Sequence, residues 1–415
     1  MILPAVVEQH RDDAALLASN RLDVVEGPNA TLAYLDRFDR RLMAHLDGLR
    51  LAGEEGWALC ESGLETPSSG IVFAVTVRAL QDRDEARLSR VFALVQAMPE
   101  TRTGLLSAFE WVEPTRLRGT VANLLRDRGG FRRMVGVAAC AVHRVDPGLM
   151  SGELFRDVDL SVRSRSLKAV GELGLPDLTT SCIGALTDED EDCRSWSAWS
   201  AVLIGDRDRG LDALTRLGLL PGRDRARALR LALQVMDTSA AHGVLQQLAR
   251  SPHSARWLIQ GSGIVGDPAY VSWLIQKMRN LPVARVAGEA FSTIAGVHLG
   301  QAALDRPAPQ GFEAGPNDDP AAPNVEMDPD DGLSWPDVAK IEKWWAANSS
   351  RFVPGTRYFM GAPVTRERCI EVLKSGYQRQ RILAAQYLCL LQPGTQLFPT
   401  SAPAWRQQRS LAKMS

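Results

Sequence analysis

The six histidines, at 10, 45, 143, 242, 253 and 298, are the side chains best suited to binding a metal or moving a proton near neutral pH. They are followed by Arg, Leu, Arg, Gly, Ser and Leu, so none opens the His-Glu pair that would hold a di-iron centre. The chain contains no His-Glu-x-x-His zinc helix, no Gly-x-Ser-x-Gly nucleophile turn and no Gly-x-x-x-x-Gly-Lys-Ser/Thr phosphate loop. GSGIVG at 261–266 matches the spacing of a dinucleotide loop, but it follows a helical pattern where that loop needs a strand. The cysteines at 60, 140, 182, 193, 369 and 389 have no zinc-type spacing and sit on apolar stretches, as buried thiols do. DPDD at 328–331 lacks the glycine and the distal glutamate of a calcium loop. No catalytic residue, cofactor or metal is assigned on these grounds.

Side chains without chemistry of their own act through placement, and the elements that place them recur. AVGELGLPD at 169–177, AVLIGDRD at 201–208, LQVMDTS at 233–239 and GSGIVGDPA at 261–269 each end an amphipathic run at a turn. The turns centre on Gly174, Gly205, Met236 and Gly266, continue to Gly296, and reach back through Val145 and Glu113 to Asp82, in steps of 29–32 residues. Glycine supplies the left-handed residue that ends one helix, Asp caps the next, and Pro suits its first turn. Val162, Leu167, Val170 and Leu173 share one helical face, separated by Arg163, Arg165 and Lys168. The period predicts a helix even over SGIVFAVTV at 69–77, whose composition favours a strand. The expected fold is all-α: a right-handed solenoid of two-helix units about 30 residues long, closed by helical caps.

Two helices per period with a Gly-Asp-Pro turn resemble the short HEAT-like repeats of bilin lyases, over residues 68–298. A wider resemblance covers AVVEQH at 5–10, LDRFDRRLMAHLDGLRLAGEEGW at 35–57, VARVAGEAFSTIAGV at 283–297, WPDVAKIEKWW at 335–345, RFVPGTRYFMG at 351–361, QRQRILAAQYLCLL at 378–391 and PAWRQQR at 403–409. These segments are similar to a bacterial family of HEAT-repeat proteins often encoded beside type VI secretion effector genes. The resemblance implies a genomic setting and carries no activity.

The chain divides by composition into a helical cap at 1–67, the repeat array at 68–302, an acidic Pro- and Asp-rich linker at 303–333 and a second helical cap at 334–415. Ser334 and Pro336 are expected to open the helix that carries Trp344 and Trp345. Adjacent residues cannot share one helical face, so one indole should pack and the other remain partly exposed. Arg223, Arg225, Arg227 and Arg230 form a solvated helix face, on which the acidic stretch is a candidate to dock.

With 48 basic and 49 acidic residues the net charge is -1, so no global field draws the chain to nucleic acid or an anionic membrane. The first residues lack a basic, uninterrupted apolar signal, and no apolar run is long enough to span a bilayer, so a cytoplasmic location is expected. Second helices near 178–187, 208–217, 239–249 and 268–280 are expected to line a concave face. There Arg216, Gln246, Gln247, Gln276 and Lys277, with Trp344 and Trp345 nearby, are the candidate partner-binding residues. The reading is a protein-binding scaffold, adaptor or effector chaperone whose partner is another protein, such as a secretion effector or a component of the apparatus. The alternative is an enzyme on a HEAT-like scaffold. It would be of bilin-lyase type or a nucleic-acid-processing one using Trp196, Trp199 and Asp192, although the two indoles have the spacing of core residues.

Overall fold

A computed structural model describes residues 3–312, 314, 315 and 327–414. It is 70% helix, with 21 α-helices among the described residues. The strands are two antiparallel pairs of two residues each, Asp305–Arg306 with Trp335–Pro336 and Tyr358–Phe359 with Ala362–Pro363. Contacts divide the chain into one unit of Met1–Gly210 with Leu373–Ser415 and another of Leu211–Val372.

In the first unit, the helices Ser69–Asp82, Arg102–Trp111, Gly130–Val142, Leu160–Leu173 and Glu191–Leu203 each pack on the next. In the second, Arg225–Val235, Ala255–Val265 and Leu281–Ala295 do the same. Every one of the eight turns read from the sequence lies at the end of one of these helices or within three residues of it. Side-chain caps start many of the helices. Ser68 accepts from the Ile71 N–H, Asp84 from Arg87, Asp190 from Cys193 and Asp237 from Ala240. The β-rich run at 69–77 is helical because Ser69–Asp82 is packed between Pro4–Val24 and Arg102–Trp111, and burial of ten of its residues overrides a weak local preference. Gly70 and Gly104 permit that approach. A methyl group on either would come within 2.0 Å of a neighbouring backbone oxygen.

The helix ends obey a second periodicity that the residue types conceal. Left-handed backbone occurs at Arg83, Arg144, Gly174, Gly205, Gly266 and Gly296. Asp84 N–H donates to the Ala79 carbonyl, Val145 to Cys140, Leu175 to Val170 and Asp206 to Ala201, the six-to-one bond that closes a Schellman turn. At Val112 and Met236 the chain leaves the helix in extended conformation instead. Side chains between neighbouring turns repeat as well. Asp127, Asp157 and Asp188 each accept the N–H two residues on. Arg133 reaches forward to Asp157, and Arg163 to Asp188.

In both units a later segment crosses the C-terminal ends of these helices, where carbonyls lack intrahelical donors. In the first unit, Pro393 lies against Gly205 and Thr395 against Gly174. Leu397 N–H donates to the Glu172 carbonyl, and its own carbonyl accepts from the Arg144 guanidinium. Farther along, Arg406 donates to the Trp111 and Val112 carbonyls, and Ala404 N–H donates to Asp39, itself paired with Arg21 at 2.7 Å. In the second unit, Arg357 donates to the Gln234 and Met236 carbonyls. Tyr358 N–H donates to Gly266, Met360 to Thr293 and Gly361 to Ile294. Gly174, Gly266 and Gly296 are therefore constrained twice. Their φ is positive, and an added methyl would lie 2.6 Å or less from a strap carbonyl oxygen.

One expectation is corrected here. Trp335 and Pro336 form a strand with Asp305–Arg306, and Asp337 caps the helix Val338–Asn348, because the pairing across the acidic stretch fixes extended backbone where a first turn was expected. Residues 313 and 316–326 of the linker expected at 303–333 lie outside the described residues. Its two ends are docked.

Candidate partner-binding surface

The seven residues singled out for binding all lie within Leu211–Val372. Arg216 is exposed on Arg209–Leu219 and pairs with Asp212 at 3.1 Å, one turn away and equally exposed. Such a pair contributes little to folding, so the guanidinium can exchange partners cheaply. Gln246 and Gln247 are exposed on Thr238–Ala249, whose Ala241, Val244, Leu245 and Leu248 face inward. Gln276 is exposed on Val271–Lys277, and Lys277 lies 5.4 Å over the Trp273 ring. The helices Thr179–Gly184, Arg209–Leu219, Thr238–Ala249 and Val271–Lys277 fall where the period puts second helices.

One indole of the tryptophan pair is expected to pack and the other to remain partly exposed; both pack and both remain partly exposed. Both rings meet Phe291 edge-on, Trp344 at 5.7 Å and Trp345 at 6.3 Å, and Trp345 also meets Phe352 at 5.1 Å. Two indoles on adjacent positions diverge at the backbone, yet each is long enough to reach one large ring placed between them. They are half-buried members of an apolar cluster.

Residues considered for other chemistry have structural roles. Trp199 is buried with Trp196 against it at 5.4 Å. The glycines of GSGIVG end the helix Ala255–Val265. There Gly263 lets the Ala290 backbone approach and Gly266 takes the left-handed cap. All six cysteines are buried, and burial pushes the Cys182 thiol up to about 12, far from a reactive thiolate. His143 lies near the Phe109 carbonyl at 2.8 Å, and burial beside Arg406 pushes its pKa down to about 4. The imidazole is neutral at pH 7.

The most specific polar cluster was not foreseen. Asp328 takes the Arg285 guanidinium at 2.7 Å, and Asp330 takes Arg256. Arg285 also donates to the Asp330 carbonyl and stacks on Trp335 at 4.7 Å. Asp330 is 2% exposed. Through these residues the acidic stretch docks on Arg256 and Arg285. In the run at 223–230, Arg225 binds the Gly218 carbonyl and Ser254, and Arg227 pairs with Asp224. The DPDD string was the available signal, but nothing local names two arginines some 45 and 70 residues earlier as its partners.

Among the described residues, no group of three His, Cys, Asp or Glu side chains is placed to hold a metal ion, and no helix is long and apolar enough to cross a membrane. No family model, no curated protein and no solved structure matches the chain.

Proposed function

We propose that the chain is an array of short HEAT-like two-helix units that binds another protein, as an adaptor or effector chaperone in type VI secretion. The observation that carries the binding half of this reading is the division of labour between helices. The helices ending at the periodic turns are largely buried, and later segments of the protein cover the C-terminal ends of most of them. The intervening helices keep polar side chains in solvent. Those side chains are mixed in charge and mostly uncharged glutamine, which suits reversible recognition better than nucleic-acid binding. The secretion half rests on the family resemblance alone.

The experiment is co-purification from the native host with the product of the neighbouring gene. Replacing Arg216, Gln247 and Lys277 together by Glu should abolish capture. The melting temperature should hardly move, because exposed substitutions shift stability by about 0.5 kcal/mol each. Undiminished capture by the triple variant removes these helices as the binding surface.

A further inference from the structure

A cleft of about 410 Å³ opens where the hairpin turn at Met360–Gly361 crosses the C-terminal end of Leu281–Ala295. None of the eleven residues lining it is acidic, whereas two are arginines, Arg351 and Arg368. Arg351 is exposed and donates to the neutral Asn348 amide at 3.3 Å. Arg368 pairs with Glu371, whose carboxylate is largely in solvent and competes weakly. His298 accepts the Gln301 N–H at Nδ1, which places its remaining proton on Nε2, and burial lowers its pKa despite Asp305 nearby. The positive charge of the lining therefore rests on the two guanidiniums.

The remaining wall includes two large apolar residues. Trp344 and Met360 line the cleft. Met360 has φ 52° and Gly361 φ 84°, the backbone of a two-residue hairpin whose first position ordinarily takes Asn, Asp or Gly. A methionine there sacrifices backbone stability, and such strain gathers at ligand sites. Its flexible, polarizable thioether adapts to an apolar surface.

We propose that this cleft binds a small organic oxyanion, a carboxylate or phosphate carried on a flat apolar group. Arg351 and Arg368 would take the oxyanion in forked hydrogen bonds, and Trp344 and Met360 the flat group. The site shares Trp344 with the candidate partner residues but none of the three positions changed in the triple variant above. Calorimetric titration of the full chain with phenyl phosphate, benzoate and inorganic phosphate tests it. Saturable binding of phenyl phosphate or benzoate is expected, and the tighter of the two identifies the oxyanion. Inorganic phosphate should bind at least about tenfold more weakly, a difference of about 1.4 kcal/mol. Arg351→Gln and Arg368→Gln should each weaken binding about tenfold with the melting temperature retained, whereas Arg216→Gln leaves it unchanged. Trp344→Phe should retain the fold and weaken the aromatic ligands more than phosphate. Absence of saturable binding at millimolar ligand overturns the proposal. So does wild-type affinity in the Arg351→Gln/Arg368→Gln double variant, or equal affinity for inorganic and phenyl phosphate.

Discussion

At the scale of single residues, the glycines separate cleanly by what surrounds them. Gly266 combines φ 73° with the Tyr358 carbonyl oxygen 2.2 Å from where a methyl would sit. Gly266→Ala should therefore lower unfolding free energy by about 2 kcal/mol or more, from the left-handed backbone cost plus the displaced strap. Gly243, inside Thr238–Ala249, has nothing within 4 Å of an added methyl. Gly243→Ala should raise stability by about 0.5–1 kcal/mol. Denaturant titration of both variants checks the pair. His143 makes a prediction in pH. Its folded pKa of about 4 lies below the ordinary value of 6.5, so the unfolded chain binds the proton more readily. Its contribution is complete above pH 6.5 and lost as pH falls toward 4, roughly 3 kcal/mol in all. His143→Gln, which can still donate to Phe109, should flatten that part of the stability profile. An unchanged slope between pH 6.5 and 4 would assign the loss to other groups.

At the scale of elements, successive helices are joined by Arg–Asp pairs that recur along the chain. Arg133 donates to both oxygens of Asp157, at 2.8 and 2.7 Å, and also to the Asp127 and Arg128 carbonyls. The hydrogen bond from Arg133 holds the Asp157 carboxyl below its usual range. The stability this confers is present above the ordinary Asp range and is lost as pH falls through the depressed value. Both side chains are largely buried and the geometry is bidentate, so the pair should outperform an exposed salt bridge. A double-mutant cycle with Arg133→Ala and Asp157→Ala should give a coupling of about 1–2 kcal/mol. A coupling near zero would reduce the repeated pair to a by-product of the turns. Arg133→Lys should not rescue it, since an ammonium cannot serve two carboxylate oxygens and two carbonyls in one plane.

At the scale of the whole molecule, the two units differ in how the chain builds them. Leu211–Val372 is continuous and contains its own strap, so residues 211–372 expressed alone should unfold cooperatively on heating. The other unit is discontinuous. Residues 1–210 alone lack the Ala404 N–H for buried Asp39 and the Leu397 contacts of Arg144 and Glu172, which leaves buried polar groups without partners. That fragment should be poorly folded by circular dichroism and should recover when residues 373–415 are added in trans. Wild-type melting of 1–210 by itself would show the strap to be dispensable.

Local chemistry made the helix ends legible before any coordinates. Gly174, Gly205 and Gly266, each followed within two residues by Asp or Pro, announce their turns because those residue types have few other uses at a helix end, Gly296 keeps their spacing, and the helix at 69–82 follows from the period they set. The sequence alone therefore determined an all-helical chain, its phase and its buried stripes. It did not reveal that Arg83 and Arg144 adopt the same left-handed conformation, since arginine has no preference for it. At Arg144 the guanidinium anchored on the Leu397 carbonyl offsets the strain, a contact 253 residues away in the chain. Nor could residue types show that Asp328 and Asp330 would select Arg285 and Arg256, or that Trp344 and Trp345 would converge on Phe291. Propensity and capping act over a few residues, so they can be read along the chain. Which donor satisfies which buried carbonyl or carboxylate depends on segments far apart in sequence, and only packing brings them within hydrogen-bond reach.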